Sequence, residues 1–116
     1  MGWKLTVRAG PAVKQYDFDA LEPALRALQE RGLELADGAP GAGYDAKFKR
    51  FEPGERVVAR LELAGPERFL ASRRGGVDVR GDGSVEAYRG RVRRRVIEAR
   101  RGESAYAALG RALSQG

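Results

Sequence analysis

Apolar and polar residues alternate from the start of the chain, with Trp3, Leu5 and Val7 interleaved with Lys4, Thr6 and Arg8. Neighbouring side chains on a strand point to opposite faces, so this pattern predicts a half-buried strand over 3–8. Gly10-Pro11 supplies turn chemistry. The more polar run from Val13 to Phe18 predicts a second strand at a sheet edge, where Lys14 and Asp17 discourage pairing with another chain. The period then lengthens. Leu21, Leu25, Leu28 and Leu35 recur at helical spacing with Gly32 on the same stripe, while Arg26, Glu30, Arg31 and Glu34 supply a wet face. Asp19 and Glu22 have the spacing of a capping box, and Pro23 belongs in a first turn, which moves the start a residue or two later.

Residues 37–46 hold three Gly and a Pro, and predict a flexible loop inside one domain, since the elements before them are too few for a separate core. Lys47 to Phe51 predicts a short strand, closed by the turn Glu52-Pro53-Gly54-Glu55. Val57, Ala59, Leu61 and Leu63 alternate with Val58, Arg60 and Glu62, the clearest strand in the chain, and Gly65-Pro66 ends it. Residues 67–75 follow neither period, with Phe69 and Leu70 as apolar anchors. An Asp-Gly pair inside Gly81-Asp82-Gly83-Ser84, between Val77–Arg80 and the run from Val85, predicts a hairpin. Ser104 is a good N-cap for a closing helix over about 104–114, with Tyr106, Leu109 and Leu113 as its apolar stripe. The order ββαββββα, with helices segregated from the meander, predicts an α+β fold. One antiparallel sheet would carry both helices on one face, in two layers, with the other face solvated. A chain of 116 residues fits one domain spanning 1–116.

The run 85–99 stands apart. Read as a strand, it places Arg89, Arg91, Arg93 and Arg95 in a row on one face, and Tyr88, Val92 and Val96 on the other, where they can pack on a core. Fully extended it would reach ~50 Å, long for a single strand, so a bend or bulge near Gly90 is expected. Tyr88, Val92, Val96 and Ala99 also recur at helical spacing, but Gly90, the Val and Ile content and the hairpin favour strand.

Charge sharpens the interest in this run. The chain carries +6 overall. Residues 1–67 hold ten Lys+Arg against eleven Asp+Glu, whereas residues 68–101 hold eleven Arg against four acids. A row of like charges needs solvent, acidic partners or a polyanion. Arginines two apart on a strand stand ~6.7 Å apart, near two phosphate steps of ~3.4 Å along one nucleic-acid strand, and guanidinium offers a donor fork suited to phosphate oxygens. Arg73, Arg74, Arg89, Arg91, Arg93 and Arg95 are therefore the candidate nucleic-acid-binding residues. The expected function is a small non-enzymatic module contacting structured RNA or duplex through a basic sheet face. Tyr88 is the only aromatic in the run 85–99, which argues against single-strand recognition by stacking. The competing readings are an ordinary solvated strand in an Arg-biased chain, with Glu62 or Glu86 as cross-strand partners, and a domain that meets an acidic protein surface or itself.

Other chemistry is sparse. With neither Cys nor His, thiolate metal sites, disulfides and His-dependent catalysis are excluded, and no catalytic residue, metal or cofactor is predicted. Asp17, Asp19 and Glu22 form the densest acidic cluster, but nothing fixes a catalytic dyad and helix capping accounts for Asp19 and Glu22, while Gly38, Gly41 and Gly43 lack the ending of a phosphate loop. Arg80-Gly81-Asp82 reads as a hairpin tip, and Asp78, Asp82 and Ser84 miss the ligand spacing of a calcium loop. Gly2 and Thr6 fit the spacing of a myristoylation signal, but Trp3, Leu5 and Val7 read as a buried strand face. No apolar run approaches ~20 residues, so no membrane partner is expected, and the cytoplasm is the expected location.

Overall fold

In the computed structural model, which describes residues 2–38, 56–66, 73–90 and 93–114, each alternating run becomes a strand. The elements are β1 (Trp3–Ala9), β2 (Ala12–Phe18), α1 (Leu21–Asp37), β3 (Val57–Ala64), β4 (Arg74–Arg80), β5 (Val85–Arg89), β6 (Arg95–Val96) and α2 (Ala105–Ser114). They build one six-stranded sheet in the order β2-β1-β3-β4-β5-β6, antiparallel at every pairing. Both helices pack on the same face. The expected α+β arrangement and element order hold, though the strands are counted differently. The strand expected over 47–51 lies outside the described residues, as do most of the loop 37–46 and residues 67–72. The sixth strand comes instead from the run 85–99, which forms two strands rather than one.

Register fixes which side of each strand is covered. Leu5 lies opposite Leu63, Leu61 opposite Val77, and Val77 opposite Ala87, so one face carries an unbroken apolar band across four strands. Leu5, Leu61, Leu63, Val77 and Val79 are fully buried there, under Leu28 of α1 and Leu109 of α2. Each such side chain contributes roughly 1.5–3 kcal/mol relative to exposure.

The capping box expected at Asp19 and Glu22 does not form. Ala20 is the N-cap, in extended conformation, with no side-chain cap bond. The third helical residue is then Pro23, which has no N–H to satisfy, so the ring does part of what a capping oxygen would do. At α2 the expectation holds, since Ser104 Oγ accepts from Ala107 N at 3.1 Å.

The helices meet where Tyr106 lies against Gly32, whose missing side chain makes room for the ring. The Tyr106 hydroxyl is buried there, with no hydrogen-bond partner among the described residues. An unmet buried hydroxyl carries a desolvation penalty of about 1–3 kcal/mol, so Tyr106→Phe should match or exceed the parent in urea-unfolding stability.

After β6 the chain stays beside β5 at Ile97, whose N donates to Ala87 O at 2.8 Å. Arg111 clamps the chain beyond it to α2, donating from Nε to Glu103 Oε2 at 2.9 Å and from Nη2 to Glu98 O at 3.2 Å. The Arg111 guanidinium, helped by Arg100 N, holds the Glu103 carboxyl down at about 2. A depressed carboxylate stabilises the fold fully above its unfolded value near 4.5 and loses that contribution as pH falls toward 2. Glu103→Gln should therefore flatten that part of the melting-temperature profile between pH 5 and 2.

Candidate nucleic-acid interface

Gly90 decides where the arginines go. Its φ is +102°, and a Cβ added there would stand 2.5 Å from Arg93 O, so only glycine suits the position. Its N–H donates to Arg74 O at 2.9 Å, closing β5 against β4. The chain then doubles back, pairing Val96 with Tyr88 and Arg95 with Arg89. The unbroken row expected on one strand is therefore a hairpin. Arg89 and Arg95 become directly opposite neighbours, ~5 Å apart at Cβ and on one face.

That face is not the one expected. Val77 and Val79, in the core of β4, lie opposite Ala87 and Val85, and side-chain parity then places Arg89 on the helix-bearing side opposite Gly75. Tyr88 falls on the open side. It does not join the core beneath the helices, and Val96 is 57% exposed rather than packed. Tyr88 is nevertheless only 3% exposed. Gly76 stands directly opposite it, and the phenol reaches past that gap to donate to Glu62 Oε2 at 3.2 Å. The Arg60 and Arg94 guanidinium carbons stand 5.6 and 5.3 Å from its ring centroid. Burial pushes the phenol far above its ordinary value, so it stays a protonated donor. Committed in this way, the ring is not offered to a stacking base.

The open sheet face is largely self-neutralised. Arg60 grips Asp78 with Nε at 2.6 Å and Nη2 at 3.1 Å, Arg80 meets Glu86 at 2.7 Å, and Arg74 faces Glu62 at 3.6 Å. Glu62 and Glu86, the carboxylates available to the arginine row, are thus taken by arginines of β4. Such part-exposed pairs contribute only about 0.2–1 kcal/mol each, yet they cancel the charge a polyanion would seek.

The six sequence-predicted residues accordingly divide. Arg74 is half-buried and held by Glu62. Arg91 lies outside the described residues. Arg89, Arg93 and Arg95 are exposed around the hairpin, and no carboxylate among the described residues forms an ion pair with any of them. Arg73, also exposed, precedes β4 at the same end of the sheet, beside the residue that receives the Gly90 N–H. These four offer donors and positive charge, the chemistry of oxyanion binding. Sequence reasoning missed Arg94, whose even position kept it out of the row, although it covers Tyr88. No cluster of potential metal ligands occurs among the described residues, and no helix among them is long and apolar enough to cross a membrane. No protein-family model, curated protein or solved structure matches this chain.

Proposed function

We propose that this chain is a small non-enzymatic binding module that holds a nucleic-acid backbone, duplex or structured RNA, against the β5–β6 hairpin. One contrast carries the reading. Arg60, Arg74, Arg80 and Arg111 are each met by a carboxylate, whereas Arg89, Arg93 and Arg95 have none among the described residues. Holding Arg89 opposite Arg95 is unfavourable without an anion, and a phosphate between them relieves the repulsion. The occupied Tyr88 favours contact through phosphates over base stacking. Four contacts, from Arg73, Arg89, Arg93 and Arg95, predict that log affinity for a duplex falls against log salt with a slope of roughly −3 to −4. A flat response, or no binding at low salt, removes the reading.

Self-association is the second reading. Among the described residues β2 ends the sheet, runs seven residues beside β1 in unbroken register and leaves Val13 half-exposed, and pairing there would have to overcome the charges of Lys14 and Asp17. A mass that rises with concentration in light scattering, without nucleic-acid binding, would favour it.

A further inference from the structure

Among the described residues β6 ends the sheet, so the arginines around it stand on a rim with two sides. Arg89 and Arg95 face each other on the helix-bearing side, where both are exposed. Arg94 takes the other side. The Tyr88 ring lies on the open face, where its hydroxyl donates to Glu62, and the Arg94 guanidinium carbon stands 5.3 Å from that ring's centroid. The hairpin therefore carries guanidinium groups on both sides of the edge. Side chains reach roughly 5 Å from each face of a sheet, half the spacing of stacked sheets, so these groups stand on the order of 10 Å apart. That is about three axial phosphate steps of ~3.4 Å along one strand. One phosphate cannot meet both sides. A backbone that crosses the rim can.

Arg94 is held differently from the other arginines of the open face. Arg60, Arg74 and Arg80 each meet a carboxylate. Arg94 is exposed, no carboxylate among the described residues pairs with it, and its contact is with a ring. Attraction to a π face neither cancels the charge nor engages the N–H groups, which lie in the guanidinium plane and point outward from its edges. The ring itself is fixed. Tyr88 is buried, tied to Glu62 by its hydroxyl, and flanked by an Arg60 guanidinium that Asp78 grips with both oxygens. Tyr88 thus restricts where Arg94 can go without quenching it, which lowers the side-chain entropy lost when the fork meets a phosphate.

We propose that Arg94 is a phosphate-binding residue positioned by Tyr88, and that one strand of a duplex crosses the β6 rim with Arg89 and Arg95 on one side of it and Arg94 on the other. The ligand class is then an extended run of phosphodiesters and not a compact anion, which could engage only one side at a time. The inference rests on the hairpin reading and adds a fifth contact to its four.

The test measures affinity of the full chain for a short labelled duplex across a salt series. Arg94→Gln should lower the log–log slope by about 1 and weaken binding roughly tenfold near 0.1 M salt. Tyr88→Leu keeps every charge, so it should change the slope little while weakening binding at each salt concentration, and Tyr88→Phe, which keeps the ring, should stay near the parent. Once Arg94 is Gln, Tyr88→Leu should weaken binding no further, the signature of a residue that acts through another. Unchanged slope and affinity in Arg94→Gln overturn the proposal, and because that position is exposed the result stands even where Tyr88→Leu fails to fold. Equal weakening by Tyr88→Leu with and without Arg94, or inorganic phosphate binding as tightly as the duplex, overturns it as well. If Arg94→Gln binds like the parent while replacement of Arg89, Arg93 and Arg95 removes binding, the hairpin reading survives without this inference. Absence of duplex binding by the parent at low salt removes both.

Discussion

Replacing Arg89, Arg93 and Arg95 together by Gln is expected to lower the salt slope of duplex binding by about 3, since each phosphate contact accounts for about one unit. Affinity at low salt should fall by orders of magnitude, leaving only Arg73, Arg94 and general attraction. The melting temperature should stay nearly constant or rise slightly. All three side chains are exposed, none has a carboxylate partner among the described residues, and Arg89 faces Arg95 as a like charge. The matched control replaces Arg60, Arg74 and Arg80. Their partners are Asp78, Glu62 and Glu86, so this control should cost stability while changing the salt slope little. Equal loss of binding from both sets would point to net charge rather than to the hairpin.

Gly76→Ala is expected to be the most damaging single methyl on the open face, lowering unfolding stability by about 3 kcal/mol. The added carbon would collide with Leu61 O and stand 2.8 Å from the Tyr88 hydroxyl and 2.9 Å from Glu62 Cα. Two of these are backbone atoms of the adjacent strand and cannot turn aside. The third is the phenol that bridges β5 to β3, so the Tyr88–Glu62–Arg74 linkage should fail with it. Gly10→Ala gives the comparison. With φ at +59° and nothing among the described residues within 4 Å, it should cost only the left-handed backbone penalty of about 1–2 kcal/mol. Urea unfolding measures both. A Gly76→Ala protein no less stable than Gly10→Ala would mean the strands are less closely packed there than described.

The alternating runs were legible because their period matches what the sheet needs. Trp3, Leu5 and Val7, and then Ala59, Leu61 and Leu63, face the helices as parity predicts. The hairpin at 81–84 was legible for the same local reason, and Asp82 Oδ1 now accepts from Ser84 N at 2.9 Å to hold it. The run 85–99 was only half legible. Its length called for an irregularity near Gly90, but a bulge and a full reversal share the same signal, and the choice rests on Ile97 and Val96 returning beside β5. Which face the arginines take was not legible. That depends on whether the odd or the even residues of β5 meet the core of β4, and Val85 and Ala87 settle it through pairings with Val79 and Val77. Tyr88 misled for a related reason. A buried aromatic suggests the main core, yet this one is buried on the opposite face by Gly76, Arg60 and Arg94, neighbours contributed by three different segments. The pairing of Arg60 with Asp78, 18 residues apart, is likewise a product of register and not of spacing.

The most direct measurement is an amide-shift map of the protein titrated with a short 5′-hydroxyl RNA duplex at low salt. Perturbations should concentrate at Arg73, Arg89 and 93–95, and should leave the Arg60, Asp78 and Glu86 amides in place. Perturbations centred on the paired residues of the open face, or none at saturating duplex, would contradict the assignment of the polyanion contact to the unpaired hairpin arginines.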